Sequence, residues 1–166
     1  FCTTMGCALF YSLTVKLDIT ALRAQNAKVY PTLLYLLTAL VNRHPEFRTA
    51  FSSSGELGVY DQMYPSYTVF HPESETFSNL WTRWSPDYPS FLADFNADQA
   101  QYGRCPEFFP KPGQPENVFT VSMLPWISFD GFNLNLPRGG DYLLPIFTIG
   151  RFFREGDRCL LPLAVQ

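Results

Sequence analysis

Ser122 is a hydroxyl residue set inside the apolar run Val118 to Leu124. Pro125 and Gly131 bend the chain just beyond it, and Phe119, Trp126, Phe129 and Phe132 lie close in sequence. Taken alone, a serine in a strand bonds its hydroxyl to a backbone group. The chain has two histidines, His44 and His71, either of which is a formal partner for a serine nucleophile. His44 stands before Pro45 and reads as a solvated helix end, and His71 ends an apolar run before Pro72. The carboxylate pairs Glu73/Glu75 and Asp94/Asp98 read as solvated charges, the first in a polar loop and the second on a helix face. No glycine-rich turn follows a strand, which argues against a phosphate-cradling loop. Cys2, Cys7, Cys105 and Cys159 form no Cys-x-x-Cys pair and are not spaced near a histidine, so no zinc site is expected.

The elements that must position these residues are bounded by composition. A chain of 166 residues is expected to form a single domain, residues 1–166, with a core large enough to need no staples. It is 46% hydrophobic, 17% aromatic and only 16% charged, with a net charge of -3. So few charges for so much apolar mass point to a covered surface, either a homo-oligomer interface or a large aromatic pocket. Without a basic run, nucleic acid is not an expected partner. The longest apolar run, Val29 to Val41, contains Pro31 and is too short to span a bilayer. The start of the chain shows no signal-peptide pattern, so reduced thiols in a cytoplasmic protein are expected.

Alternation over Leu9 to Ile19 predicts a half-buried strand with Tyr11, Leu13, Val15 and Leu17 on its inner face. Thr20 is placed to cap a short helix over Ala21 to Asn26. Pro31 suits the first turn of a second helix, whose Leu33, Leu34, Leu36, Leu37, Leu40 and Val41 predict burial on more than one face. It should end near Asn42 to His44. Short strands are predicted at Leu57 to Tyr60 and Ser66 to His71, with an extended piece at Thr76 and Phe77. Ser85-Pro86 predicts the start of a third helix, striped by Phe91, Leu92, Phe95 and Ala100 and stopping at Tyr102-Gly103. Four prolines make Arg104 to Pro115 a loop. Strands follow at Val118 to Leu124, Asn133 to Leu136, Leu143 to Arg154 and Arg158 to Gln166, with turns at Pro137 to Gly140 and Glu155-Gly156-Asp157. The class is α/β (α+β), a mixed sheet with helices packed on it as a two-layer sandwich.

The motifs resemble the chloramphenicol acetyltransferase family. The resemblance starts at Val41-Asn42-Arg43-His44-Pro45-Glu46-Phe47-Arg48 and continues at Pro65-Ser66-Tyr67-Thr68-Val69-Phe70-His71 and Glu75-Thr76-Phe77-Ser78. It is most specific at Pro115-Glu116-Asn117, Val121-Ser122-Met123-Leu124-Pro125-Trp126 and Phe129-Asp130-Gly131-Phe132-Asn133-Leu134-Asn135. It runs on through Tyr142-Leu143-Leu144-Pro145-Ile146-Phe147-Thr148 to Leu161-Pro162-Leu163-Ala164-Val165-Gln166. Residues Phe1 to Ala8 stand outside it.

The resemblance implies a homotrimer of two-layer subunits with chloramphenicol and acetyl-CoA as partners. Acetyl passes from acetyl-CoA, a co-substrate and not a bound cofactor, to the drug's primary hydroxyl, which confers antibiotic resistance. A histidine acts as general base and a serine hydroxyl stabilises the oxyanion. That serine corresponds to Ser122, and Thr148 to a threonine holding a water near the transition state. Thr68, Phe77, Phe109, Phe132, Leu134, Tyr142 and Ile146 correspond to the drug-binding wall. Lys28 and Arg151 correspond to basic residues near the coenzyme phosphates, and Phe152 to a coenzyme-contacting tyrosine. No metal is implied. The family signature His-His-x-x-x-Asp-Gly has no counterpart in residues 1–166, and neither His44 nor His71 matches it. The sequence therefore reads as incomplete at the N-terminus and as stopping short of the segment that carries the base.

Two further readings go with this one. The chain as written would be an inactive remnant if the base is never supplied. The acyltransferase cores of 2-oxo-acid dehydrogenase complexes share the fold and signature, but the alanine- and proline-rich linkers of those chains are not seen here.

Overall fold

The computed structural model describes residues 11–135 and 142–166. The element order is β1 (Leu13–Asp18), α1 (Thr20–Ala24), α2 (Val29–Arg43), a 3-10 turn (Pro45–Arg48), β2 (Thr49–Phe51), β3 (Leu57–Val59), β4 (Tyr64–His71), β5 (Thr76–Trp81), α3 (Tyr88–Tyr102), β6 (Val118–Leu124), β7 (Ile146–Gly150), β8 (Phe153–Glu155) and β9 (Arg158–Val165). Seven strands form one mixed sheet in the order β1-β9-β7-β6-β4-β5, with β8 pairing the outer end of β9. The adjacent strands β4, β6 and β7 run parallel, while β5, β9 and β1 are antiparallel to their neighbours. β2 and β3 make a separate hairpin.

Register assigns every strand residue to one of two faces, because side chains alternate along a strand. Tyr67, Val121, Phe147, Leu161 and Leu163 share one face. They join Leu33, Leu34, Leu37 and Val41 of α2 and Phe91 and Phe95 of α3 in the core. This two-layer arrangement is the fold class that the sequence predicts. The opposite face carries Thr68, Phe77, Ser122, Thr148 and Ala164.

Several local expectations are corrected. Leu36 (53% exposed) and Leu40 (39%) face outward, so α2 buries one side only. Leu13 and Val15 lie in register with Val165 and Leu163, but they are exposed because α2 and α3 pack against β4 and β5, across the sheet from β1. Thr20 does not cap α1: its hydroxyl donates to Asp18 Oδ1 at 2.6 Å and accepts from Cys159 N at 2.8 Å, tying α1 to β9. α3 starts two residues later than Ser85-Pro86 suggests. Asp87 is its cap, accepting from Ser90 N at 2.9 Å, because a carboxylate satisfies a first-turn amide and Pro89 has no N–H to leave unpaired. The sequence pattern predicts no strand at β2, and β5 extends to Trp81. The predicted strand Leu143 to Arg154 is two strands separated at Arg151 and Phe152, where Arg151 N turns away to donate to Ile127 O at 2.7 Å. No strand forms at Asn133 to Asn135. Leu9, Leu136 and the turn Pro137 to Gly140 lie outside the described residues, as do Cys2 and Cys7. Cys105 and Cys159 are free thiols. No described helix is long and apolar enough to cross a membrane.

Candidate active site

The site sits where the parallel strands end. β4 and β6 pair from Tyr64↔Val118 to Tyr67↔Val121, whereas β6 stays paired with β7 as far as Leu124↔Gly150. The two strands therefore part after Tyr67. There the Thr68 hydroxyl accepts from Met123 N at 3.1 Å, a side chain replacing the ladder carbonyl. Open sheets bind ligands outside the carboxyl ends of parallel strands, where neighbouring strands diverge and leave a crevice.

A cavity of about 390 Å³ opens at this point, lined by Thr68, Phe70, Glu75, Phe77, Ser122, Met123, Leu124, Trp126, Phe132, Leu134 and Thr148. Ser122 and Thr148 are direct neighbours in the β6–β7 register. Thr148 is 1% exposed, and its Oγ1 has no hydrogen-bond partner among the described residues. A buried hydroxyl without a partner costs free energy, and one that faces a cavity is poised to bond whatever enters it. The remaining lining is mainly apolar, so hydrogen bonds made here act in a low effective dielectric. Phe70 and Trp126 pack at 4.7 Å between ring centroids and build one wall.

The wall from Trp126 to Leu134 is an irregular segment held at several points. Phe132 O accepts from Ser12 Oγ at 2.7 Å and from Gln166 Nε2 at 2.9 Å, while Phe132 N donates to Thr14 Oγ1 at 3.3 Å. Lys16 and Asp130 form an exposed ion pair at 2.9 Å, which raises the lysine pKa. Gly150 lets the segment lie against β7: a Cβ there would come within 2.7 Å of the Phe129 ring and of Pro162 Cγ. The Pro-Trp and Asp-Gly pairs free this segment from the sheet, and β1, β7 and β9 fix where it goes.

Six of the residues singled out in the sequence meet in this cavity: Ser122, Thr148, Thr68, Phe77, Phe132 and Leu134. Ile146 lies two residues before Thr148 on β7 and is buried (9% exposed), on the same face but behind the lining. Phe109 is 58% exposed and does not line the cavity. Tyr142 is 43% exposed and also outside the lining, although burial of its hydroxyl end pushes its pKa up against the opposing effect of a hydrogen bond with Thr120.

The remaining candidates lie elsewhere. Lys28 stands at the N-cap position of α2, without a side-chain capping bond, and donates to Asn96 Oδ1 at 3.3 Å. Phe152 lies beneath the Arg23 guanidinium, 4.7 Å from the ring centroid, and lines a separate cavity of about 290 Å³ with Arg154, Asp157 and Arg158. Arg151 is exposed beside it in the chain. His71 Nε2 is 3.0 Å from Ser78 Oγ, and by register both belong to the helix-covered face, across the sheet from Ser122. His44 packs against Phe47.

Phe70, Glu75, Met123, Leu124 and Trp126 were not singled out as site residues. Phe70 was legible, because it sits two residues after Thr68 on one strand and must share its face. Glu75 was not. It is brought to the rim by a turn in which it adopts a φ of 53°, a local detail without a sequence period. On the helix side of the strand divergence lies a second cavity of about 230 Å³, lined by Tyr30, Thr68, Val69, Phe70, Phe95, Gln99, Met123 and Pro125. Thr68, Phe70 and Met123 border both cavities. Burial raises the pKa of the Tyr30 phenol, which donates to Thr68 O at 3.2 Å.

Comparison with known proteins places these features in a family. The sequence profile described as "Chloramphenicol acetyltransferase" matches residues 1–166, so the match includes Phe1 to Ala8, which the motif comparison left out. A chloramphenicol acetyltransferase of Clostridium perfringens is 54% identical over 156 residues, covering 94% of this chain and 75% of that protein. Chloramphenicol acetyltransferase 2 of Escherichia coli is 50% identical over 160 residues, with the same shares covered. Among solved structures, a chloramphenicol acetyltransferase superposes with a TM-score of 0.78 at 17% identity, covering 93% of this chain and 77% of that one. The dihydrolipoamide acetyltransferase of Azotobacter vinelandii superposes at 0.69 with 20% identity, covering 93% and 71%. At those identities the superpositions speak for the fold, while the sequence matches speak for the family. The chain belongs to the chloramphenicol acetyltransferase family, a family of acyltransferases.

Proposed function

We propose that this protein transfers the acetyl group of acetyl-CoA to the primary hydroxyl of chloramphenicol. The observation that carries this reading is the placement of Ser122 beside Thr148 in an apolar cavity at the carboxyl ends of parallel strands. A cavity of about 390 Å³ suits an acceptor of drug size. In the proposed step, the acceptor hydroxyl oxygen bonds to the thioester carbonyl carbon as its proton leaves to a base. Negative charge gathers on the carbonyl oxygen. Ser122 Oγ donates to that oxyanion, and Thr148 Oγ1, which is buried and unpartnered, bonds a water or a substrate oxygen beside it. Collapse of the intermediate breaks the carbon–sulfur bond, and the thiolate of CoA takes up the proton.

The donor and acceptor would approach from opposite faces, since the two cavities share Thr68, Phe70 and Met123 at the strand divergence. Lys28, Arg151 and Phe152 are the proposed coenzyme contacts, and Thr68, Phe77, Phe132 and Leu134 line the acceptor side. Phe109, Tyr142 and Ile146 would support that side from behind or from its edge. The described lining contains no histidine, so a histidine base of the kind the family resemblance implies would come from beyond it, and assembly as a homotrimer is the proposed route by which one subunit completes another's site. Thiol release from acetyl-CoA, followed with a colorimetric disulfide reagent, tests the reading. Release that requires chloramphenicol is expected. No release, together with no binding of chloramphenicol, would refute it.

A further inference from the structure

We propose that Lys111 is a positioning residue for the acceptor: its buried ion pair locks the proline-rich loop 104–117 so that Phe108 props Phe77 in the cavity wall. The proposal rests on the chloramphenicol reading of that cavity. The loop has no regular secondary structure, and it contains Pro106, Pro110, Pro112 and Pro115. It runs along β5, the edge strand of the sheet, where Asn79 N donates to Phe108 O at 2.7 Å. An edge strand leaves main-chain donors unpaired, and here the loop supplies one acceptor. Phe108 contacts Phe77 edge-on with 5.5 Å between centroids and Phe109 at 4.4 Å. Phe77 is a cavity residue, 49% exposed, on β5, which has no further strand beside it among the described residues.

Lys111 holds this loop in place. Its Nζ donates to Asp98 Oδ1 at 2.7 Å and to Trp81 O at 3.0 Å, and it lies 3.9 Å from the centroid of the Trp81 ring. An ammonium has three donors, and this geometry directs two to oxygens while the ring face meets the charge. The Lys111 and Asp98 side chains are only 15% and 13% exposed. Asp98 Oδ2 accepts from Thr82 Oγ1 at 2.7 Å, and Thr82 Oγ1 lies 2.8 Å from the hydroxyl of Tyr67. Tyr67 and Thr82 are fully buried, so the latch ends in the core of the sheet. A buried charge that loses its partner is strongly unfavourable, which gives the loop one position and not several.

The test measures equilibrium binding of chloramphenicol and of CoA by calorimetry, with melting temperature, for the wild type, Lys111→Met and Phe108→Ala. Lys111→Met is expected to weaken chloramphenicol binding roughly tenfold, the scale of losing one well-placed apolar contact in a pocket, while CoA affinity stays within about twofold. Phe108→Ala keeps the ion pair and is expected to lose the same acceptor affinity with little change in melting temperature, so it decides the matter if Lys111→Met does not fold. Chloramphenicol affinity unchanged in folded variants, or both ligands weakened alike, would overturn the latch alone. A wild-type chain that binds no chloramphenicol would overturn the acceptor reading and the latch with it.

Discussion

At the residue scale the proposed chemistry depends on two hydroxyls that a sheet register sets side by side. Ser122→Ala is expected to lower kcat by about a hundredfold or more with a small change in KM, the pattern of losing a donor to the oxyanion. Steady-state rates with chloramphenicol varied at saturating acetyl-CoA check it. Thr148→Val should cost less, because it removes a bond made through water. Glu75 is the single ionisable side chain in the described lining, and it stands at the exposed rim. Glu75→Gln is expected to leave kcat within about threefold, since general-base loss costs about a hundredfold or more; a fall of that size would make Glu75 the base.

At the element scale, the glycine at the end of β7 and the cap of α3 give separate predictions. Gly150→Ala places a methyl against the Phe129 ring, Pro162 and Ile127 O, and so should push the segment carrying Trp126, Phe132 and Leu134 away from the cavity. Small-to-large changes in tight packing cost about 1–3 kcal/mol, and here the melting temperature and the KM for chloramphenicol should worsen together. Asp87 caps α3, and the hydrogen bonds from Ser90 lower its pKa. A carboxylate with a lowered native pKa stabilises the fold above its unfolded value, and the benefit disappears as pH falls through the native one. Asp87→Ala should therefore lower the melting temperature near neutral pH, with the gap to wild type closing below the ordinary carboxylate range of about 3.8. Thermal melts across an acid series measure it.

At the scale of the whole molecule, the core and the exposed apolar surface make different demands. Leu34 is fully buried between α2 and the sheet. Leu34→Ala should cost about 2–5 kcal/mol in denaturant unfolding. Large apolar side chains remain exposed on β1, on α2 and on the β2–β3 hairpin: Leu13, Leu36, Phe51, Leu57 and Val59. Light scattering of the purified protein is expected to give about three times the chain mass of 19.0 kDa if these surfaces meet in a homotrimer. A mass equal to one chain would oppose it.

The sequence by itself determined the class of fold, the strand that holds Ser122, and the family. Strand alternation, helix stripes and turn residues are local signals, and the motif from Val121 to Asn135 is contiguous. It also identified most of the cavity wall, because Ser122, Phe132 and Leu134 fall within one stretch of chain. It did not determine that Phe109 and Tyr142 stand outside the cavity while Glu75 and Trp126 line it. Those placements depend on where β4 and β6 part and on how an irregular segment is pinned to β1, β7 and β9. Nor did it distinguish Lys111 from the other lysines of the chain. A lysine's pairing across 13 residues to Asp98 and 30 to Trp81 follows no period of helix or strand, and tertiary packing alone brings the three together.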